Sequence, residues 1–250
     1  MNRPSLSSPA GSEMASEPSP FGPTRSPFAG MRPDTPLQTE TLRALESLWS
    51  GYERRMRSAP IFQKLYGGDF TVEDYKALLR TLRPQVVEGS RWISRVASSC
   101  TDDALRALFI GHAREEHLDY QMLERDYVSV GGALEDIQRA EKNEGGEALS
   151  AYIFHEAMRE NPIHLLGAVF VIEGTGDQLM GRWGERIQQR LGLTPQQTSF
   201  FSYHGGNDEN HVSQMERVLK SRWMDAAMAH RFLRATRVSA TLYHLQYSLV

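Results

Sequence analysis

From Leu37 to the C-terminus, the sequence is patterned as a succession of α-helices. Apolar residues recur three or four positions apart, the spacing of one helical face; the first such series is Leu42, Leu45, Trp49, Tyr52 and Met56. No stretch shows the strict alternation of apolar and polar residues that is typical of a half-buried strand. We therefore predict an all-α fold, a bundle of about seven main helices joined by short connections.

Residues that begin or end helices mark several boundaries. Thr71 is predicted to cap a long helix that runs to about Cys100, with Pro84 kinking or dividing it. Asp102 is predicted to open a further helix that continues to Gly131. The connections between these helices are therefore expected to be short.

Met1–Pro36 differs in composition from the rest of the chain. It holds eight of the twelve prolines and many serines, with almost nothing to bury. Such a segment cannot gain enough apolar burial to offset the entropy lost on ordering. We expect a disordered tail over residues 1–36 and a single helical domain over residues 37–250.

Composition and charge exclude several classes of function. The formal net charge of −3 gives no electrostatic case for binding nucleic acid, which requires a concentrated basic surface. Cys100 is the only cysteine, so neither an internal disulfide nor a thiolate metal cluster is expected. No apolar run approaches the ~20 residues of a membrane span, and the start lacks the pattern of a signal peptide. We expect a protein of the reducing cytoplasm.

Metal-binding residue types cluster in the segment FFSYHGGNDENHVSQMERVL. His204, Asp208 and His211 stand at i, i+4 and i+7, so on a helix they fall within about 40° of one another. Val212 and Met215 carry an apolar stripe past them, which indicates the buried side rather than a solvated polar face. Two imidazoles and a carboxylate in this arrangement predict half of a transition-metal site.

Two other helices are predicted to face this half-site. His112, Glu116 and Asp119 occupy the middle of a stripe that is apolar at both ends, where unmatched ionisable groups are costly. Glu173 ends an apolar run within the long helical segment His164–Leu191, so we expect it to be buried. A salt bridge, or for Glu116 an exposed position, is the alternative interpretation of these carboxylates.

The predicted metal ligands are, in chain order, Glu116, Asp119, Glu173, His204, Asp208 and His211. The four carboxylates would balance the charge of two divalent cations. Four carboxylates and two imidazoles are also the ligand count of ferritin-type di-iron bundles. Oxygen-rich ligation with some imidazole suits iron or manganese better than structural zinc.

The chain resembles the heme-oxygenase-like di-iron oxidases and oxygenases, a family of iron-containing redox enzymes. The resemblance rests on His204-x3-Asp208-x2-His211, on Glu173 in VIEG, and on the stretch EEHLDYQMLERDYVSVGG, and it covers nearly everything but the tail. It implies a heme-oxygenase-like bundle that binds two irons and uses O2 as co-substrate. It also implies a small organic acid, amine or amino-acid-like substrate, which relatives desaturate, cleave between carbons or oxygenate at nitrogen.

One position departs from the pattern of this family. Relatives carry Glu-x2-His or Glu-x6-His before a helix that ends in glycine. The first pattern places its acid at Glu116 and its imidazole at Asp119; the second places its imidazole at His117 and its acid at Ile110. The usual third histidine is therefore missing, and either Asp119 or His112 fills its position. Of the two we favour Asp119.

Further features are implied by the same resemblance. Some relatives use an additional carboxylate on the second long helix, for which Glu88 is the candidate. An external electron donor is expected, and a homodimer is compatible with the resemblance. An apolar wall that includes Val169, Phe170 and Trp92 is expected to hold the substrate, and an arginine such as Arg182 is a candidate for binding a substrate carboxylate.

Other interpretations remain open. A thiaminase-type relative would use a cysteine nucleophile without metal, but we expect Cys100 to be a packing or surface residue. A cofactorless oxidase would leave Glu173 and the histidines without a purpose. The missing histidine is compatible with a metal-poor, catalytically silent member that acts as a binding or regulatory partner. A heme oxygenase proper would need a proximal histidine near the start of the helical domain, whereas the first histidine is His112.

Overall fold

The computed structural model describes residues 27–28, 30–205 and 216–250. Within these ranges every regular element is helical and no strand occurs, so the prediction of an all-α fold is confirmed. The α-helices are α1 Pro36–Ser58, α2 Pro60–Gly67, α3 Val72–Ser98, α4 Asp103–Glu115, α5 Tyr120–Ser129, α6 Leu134–Gln138, α7 Glu144–Ala157, α8 Leu166–Thr175, α9 Gly181–Leu191, α10 Ser199–His204 and α11 Ala226–Ser248. Among these helices none combines the length and apolarity needed to cross a bilayer.

The described helices outnumber the roughly seven predicted partly because two predicted long helices are interrupted. A 3₁₀ turn, Glu116–Leu118, separates α4 from α5, which together form the helix predicted to open at Asp102. A π-helix, Gly176–Met180, separates α8 from α9 within the predicted segment. That segment ends as predicted at Gly192, which adopts a left-handed conformation with φ of 68°. Both interruptions fall beside candidate site residues.

The start of α3 is formed by the predicted capping residue. Thr71 Oγ1 accepts a hydrogen bond from the Asp74 N–H, and the Asp74 carboxylate accepts one from the Thr71 N–H. The helix then runs through Pro84 to Ser98 as one element, so the proline does not divide it.

The C-terminal helix α11 packs against α1, α7 and α8. Close approach of α8 depends on Gly167, because an added Cβ there would lie 2.6 Å from the Phe232 carbonyl oxygen. Side chains from Leu166 to Val171 are all buried, as the apolar run predicted. This buried helix carries Glu173 towards the centre of the bundle.

Phe28 contributes to the core although it precedes the helical domain. Its side chain is 2% exposed, and its ring stacks on Phe170 with 4.7 Å between ring centroids. Phe170 in turn packs edge-on against Trp49, with 5.9 Å between ring centroids. The expectation that residues 1–36 bury almost nothing does not hold at Phe28. Residues 1–26 and 29 lie outside the described ranges.

We expect Phe28→Ala to lower the free energy of unfolding by about 3 to 5 kcal/mol, the usual range for deleting a buried phenylalanine ring. A chain that begins at Leu37 should lose at least this amount, because it also lacks Thr35, the N-cap of α1, whereas one that begins at Arg25 should keep the full stability. Urea denaturation measures the change, with the exposed Val128→Ala as control. An unchanged midpoint for the chain that begins at Leu37 would show that Phe28 does not stabilise the fold.

Candidate metal centre

Glu116 and Asp119 lie where the helix that begins at Asp103 is interrupted. α4 ends at Glu115, and the following 3₁₀ turn leads through Asp119 into α5. Residues three apart eclipse each other in a 3₁₀-helix, so the side chains of Glu116 and Asp119 project in about the same direction. The interruption therefore presents two carboxylates to the same region of the bundle.

His112, Glu116 and Glu173 form a tight group of potential metal ligands. His112 Nε2 lies 3.1 Å from Glu173 Oε1 and 4.0 Å from Glu116 Oε1. One ligand atom from each residue lies within 4.8 Å of the corresponding atoms of the other two. A single cation placed among them could contact all three side chains. His112, the less favoured candidate from sequence, lies directly in this group.

Asp119 and His204 form a second contact. Asp119 Oδ2 lies 3.4 Å from His204 Nε2, and His204 is the last residue of α10. Asp208 and His211, which sequence reasoning placed on the same helical face, lie outside the described residues. Their ligation of metal stays a prediction.

His112 lies beside Glu173 and Asp119 lies beside His204, so both His112 and Asp119 remain candidate ligands. They stand seven positions apart, which is the separation of the two residues in the Glu-x6-His pattern, with acid and imidazole exchanged. The family pattern in its usual order does not single out this pair. The spacing was the signal that could have found it.

Glycines allow α10 to lie directly against α9. An added Cβ at Gly181 would lie 3.2 Å from the Gly205 Cα, and one at Gly184 would lie 2.9 Å from the Phe201 Cβ. Backbone therefore approaches backbone at the C-terminal end of α10. This contact positions His204 beside the carboxylates.

Asp126 fixes the other end of α10 and was missed from sequence. Its Oδ1 accepts hydrogen bonds from the Ser199 N–H at 3.0 Å and the Ser199 hydroxyl at 2.7 Å, and its Oδ2 accepts one from the Phe200 N–H at 3.0 Å. Asp126 is fully buried, and burial raises its pKa against the lowering effect of these bonds. A side chain on α5 thus supplies the N-terminal cap of α10.

The carboxylates of the site raise one another's pKa. Burial, and then Glu173 and Asp119, hold the pKa of Glu116 well above its ordinary value. Burial, and then Glu173, raise the pKa of Asp119 from 3.8 to about 6. Glu173 therefore lies within electrostatic reach of both other carboxylates. Such crowding favours protons or bound cations at this site.

A cavity of about 50 Å³ adjoins these carboxylates. Its walls include Glu116, Glu173 and His204, together with Trp92 and Tyr243. Burial, and then the two glutamates, raise the pKa of Tyr243 to about 12, so its phenol keeps its proton. The cavity is large enough for a few water molecules.

The predicted substrate wall is only partly present at this cavity. Trp92 lines it, whereas Val169 does not and Phe170 packs against Phe28 instead. Arg182 lines a separate small pocket with Glu53. The described lining of the cavity contains no arginine.

Two further candidates from sequence have other partners. Glu88 Oε1 lies 2.5 Å from Lys142 Nζ, and its Oε2 accepts a hydrogen bond from the Ser150 hydroxyl at 2.7 Å. Cys100 is buried and its thiol donates to the Val96 carbonyl oxygen, while burial raises its pKa. A buried thiol held in its protonated form is a poor nucleophile. Neither residue contributes to the group of ligands.

Carboxylates and imidazoles that are largely shielded from solvent converge from α4, the 3₁₀ turn that follows it, α8 and α10, and this arrangement defines an all-α protein with a carboxylate–histidine candidate metal centre. A family model described as "Iron-containing redox enzyme" matches residues 76–244, more than half of the chain. The chain belongs to this family, as the resemblance predicted. A search of curated proteins found no match.

Solved structures confirm the heme-oxygenase-like fold. A domain of unknown function with this fold from Shewanella denitrificans is 20% identical, with a TM-score of 0.75 over 82% of this chain and 89% of that one. A TenA homologue from P. horikoshii is 16% identical, with a TM-score of 0.65 over 85% of this chain and 97% of that one. A TenA homologue from Pseudomonas syringae is 12% identical, with a TM-score of 0.64 over 85% and 91%. At these identities the similarity establishes the fold alone.

We expect Asp126→Ala to destabilise the fold by about 1 to 3 kcal/mol, because the N–H groups of Ser199 and Phe200 would be buried without an acceptor. Chemical denaturation of this variant, compared with Asp136→Ala on an exposed face of α6, measures the loss. Equal stability of the two variants would contradict the capping role of Asp126.

The pKa of Asp119 predicts the pH dependence of stability in metal-free protein. The Asp119 carboxyl keeps its proton up to about pH 6 in the folded chain but only up to about pH 4 in the unfolded chain. The protonated carboxyl therefore imposes no penalty on folding below about pH 4, whereas the free energy of unfolding falls as the pH rises through 6 and the buried carboxylate ionises. Asp119→Asn cannot ionise, so it should melt at a higher temperature than the wild type near pH 8 but not near pH 4. Thermal melts of chelator-treated protein test this, with Asp136→Asn as control; parallel curves for wild type and Asp119→Asn would contradict it.

Proposed function

We propose that the protein is a non-heme di-iron oxidoreductase that uses O2 to oxidise a small organic acid, amine or amino-acid-like molecule. The observation that carries this proposal is the convergence of His112, Glu116 and Glu173, whose ligand atoms lie within 4.8 Å of one another. Membership of the iron-containing redox enzyme family supports the choice of metal.

The side chains of the site suit two iron ions. His112, Glu116 and Glu173 would hold one ion, and Asp119 and His204 would hold the other. Carboxylate oxygens with imidazole nitrogens are ligands that iron and manganese accept, and thiolates are absent from the described group. Asp208 and His211 are proposed to complete the second position.

Glu173 would be a ligand of one ion and lies within electrostatic reach of the carboxylates of both groups. It raises the pKa of both Glu116 and Asp119, so its carboxylate is close to both groups. A carboxylate has two oxygens and can bind a cation with each. Glu173 also comes from α8, which is buried on nearly every side and holds the carboxylate in place.

Bound iron would supply the electrons that reduce O2 and the oxidising power that acts on the substrate. The chain's own residues would orient the substrate and limit the access of water. Trp92 and the apolar side chains of the cavity form a wall next to the carboxylates. Tyr243 keeps its phenolic proton, so it can donate a hydrogen bond into the site. An external electron donor is a proposed partner for turnover.

A catalytically silent, metal-poor member of the fold is the second candidate. The observation that favours it is the departure at Asp119, which stands where the pattern of the family places an imidazole. The TenA homologues among the structural neighbours show that this fold is not restricted to proteins described as iron-containing. Metal binding separates the two candidates.

We expect the full chain, loaded anaerobically with ferrous iron and desalted, to retain about two irons per chain. His112→Ala and Asp119→Ala should each lose about one equivalent, because each removes a ligand from a different group, while the helical circular dichroism signal survives. His155→Ala, at an exposed histidine of α7, is the matched control and should retain both irons.

Metal analysis and circular dichroism of the four proteins provide the readout. Wild-type protein that retains no iron would reject the oxidase and leave the silent member. Loss of iron from the Asp119→Ala variant but not from His112→Ala would remove His112 from the ligand set, and the reverse result would remove Asp119.

A further inference from the structure

Two residues that line the cavity each carry a buried polar atom without a hydrogen-bond partner in the described part of the chain. The two atoms are Gln85 Oε1 and Trp92 Nε1, on side chains of residues that are 6% and 3% exposed. A buried acceptor or donor that makes no hydrogen bond is costly, so such groups in a native protein require an explanation. Both residues line the same cavity, which points to an occupant that could bind these atoms.

Gly89 opens this space between the two polar side chains. Gln85, Gly89 and Trp92 stand at i, i+4 and i+7 of α3, so they share one face of the helix. An added Cβ at Gly89 would meet no atom within 4 Å. Packing therefore does not require glycine here, although glycine in a helix interior is less stable than alanine. The missing side chain leaves room beside the candidate metal ligands.

The chemistry of the walls restricts the occupant. Apart from the carboxylates, His204 and Tyr243, the side chains around the cavity are uncharged, and most are apolar: Val86, Ile93, Ile172, Met180 and Phe200. No lysine or arginine belongs to the described lining, so a buried anionic group would find no cationic side chain there. Trp92 Nε1 offers only a donor, and Gln85 Oε1 offers an acceptor.

We propose that the space in front of Gly89 is a subsite for the part of the substrate that is remote from its acidic or amino group: an uncharged, unbranched aliphatic chain that carries neutral hydrogen-bonding groups, such as hydroxyl or primary carboxamide. One such group accepts from Trp92 and another donates to Gln85. Gln85 and Trp92 are two helical turns apart, about 10 Å along the axis, which a chain of about six carbons can span. The inference rests on the proposed function only in treating this chain as part of the molecule that is oxidised.

Two probes of matched length test the subsite: 6-hydroxyhexanamide has a polar group at each end, and heptanamide has a methyl group in place of the hydroxyl. Calorimetric titration uses the full chain after removal of metal by a chelator. We expect wild type to bind 6-hydroxyhexanamide about fivefold more tightly than heptanamide, the effect of one additional hydrogen bond. The preference should disappear in either Gln85→Leu or Trp92→Phe, because one of the two polar partners is lost.

A cavity-filling variant separates a ligand site from a structural gap. Gly89→Ala should raise the melting temperature by about 2 °C through helix propensity, and should weaken the binding of both probes. Gly111→Ala is the matched control: Gly111 lies within α4, is exposed and also has no atom within 4 Å of an added Cβ. It should raise the melting temperature similarly and leave probe binding unchanged.

The outcomes distinguish this inference from the proposed function. Absence of probe binding, equal affinity for the two probes in wild type, or unchanged binding in Gly89→Ala would overturn the subsite and leave a gap filled by water. Iron retention by the same protein is measured separately. Discrimination between the probes without iron retention would reject the oxidase and keep the subsite. Iron retention without discrimination between the probes would reject the subsite and keep the oxidase.

Discussion

The structure depends on the cost of burying three carboxylates beside one another. Glu116, Asp119 and Glu173 converge in a region where burial and mutual repulsion raise the pKa values of the first two. Protons, imidazolium groups or metal cations can relieve that repulsion. His112 and His204 each contact at least one of these carboxylates, so the side chains that partner the acids also offer nitrogen ligands. The imidazole–carboxylate contacts that can relieve the repulsion among the acids therefore also bring together the candidate metal ligands.

Tertiary contacts, rather than helix propensity, hold the imidazole of His204 in place. α10 has only six residues, too few to be stable as an isolated helix. Its first N–H groups are bound by Asp126, and its C-terminal end lies against the backbone at Gly181. A short helix held at both ends presents its last side chain in one direction. The geometry of the candidate centre thus extends to residues that would never contact the metal.

Much of this organisation could be predicted from sequence, and the remainder fails for identifiable physical reasons. The 3.6-residue apolar period predicted the helical bundle, and a carboxylate at the end of an apolar run predicted the position of Glu173 in the interior. The interruption after α4 was not predictable, because a local change of hydrogen-bond pattern leaves the apolar pattern almost intact. Asp126 acts on a residue 73 positions away, which no local pattern encodes. Phe28 was missed because one aromatic residue among prolines has no periodic neighbours.

The π-helix between α8 and α9 makes the relative orientation of Glu173 and Gly181 depend on the number of residues between them. Gly181 follows Glu173 by eight residues, which in a regular α-helix would place the two about 80° apart around the axis. A π turn accommodates about one extra residue, equivalent to a rotation of about 100° in the opposite sense, so the two residues return to nearly the same face. The extra residue in the π turn therefore places Glu173 and Gly181, the glycine against which α10 packs, on nearly the same face. Insertions and deletions at Gly176–Met180 would rotate Glu173 relative to Gly181 even if every candidate ligand were kept, so the geometry of the centre depends on the number of residues in this segment.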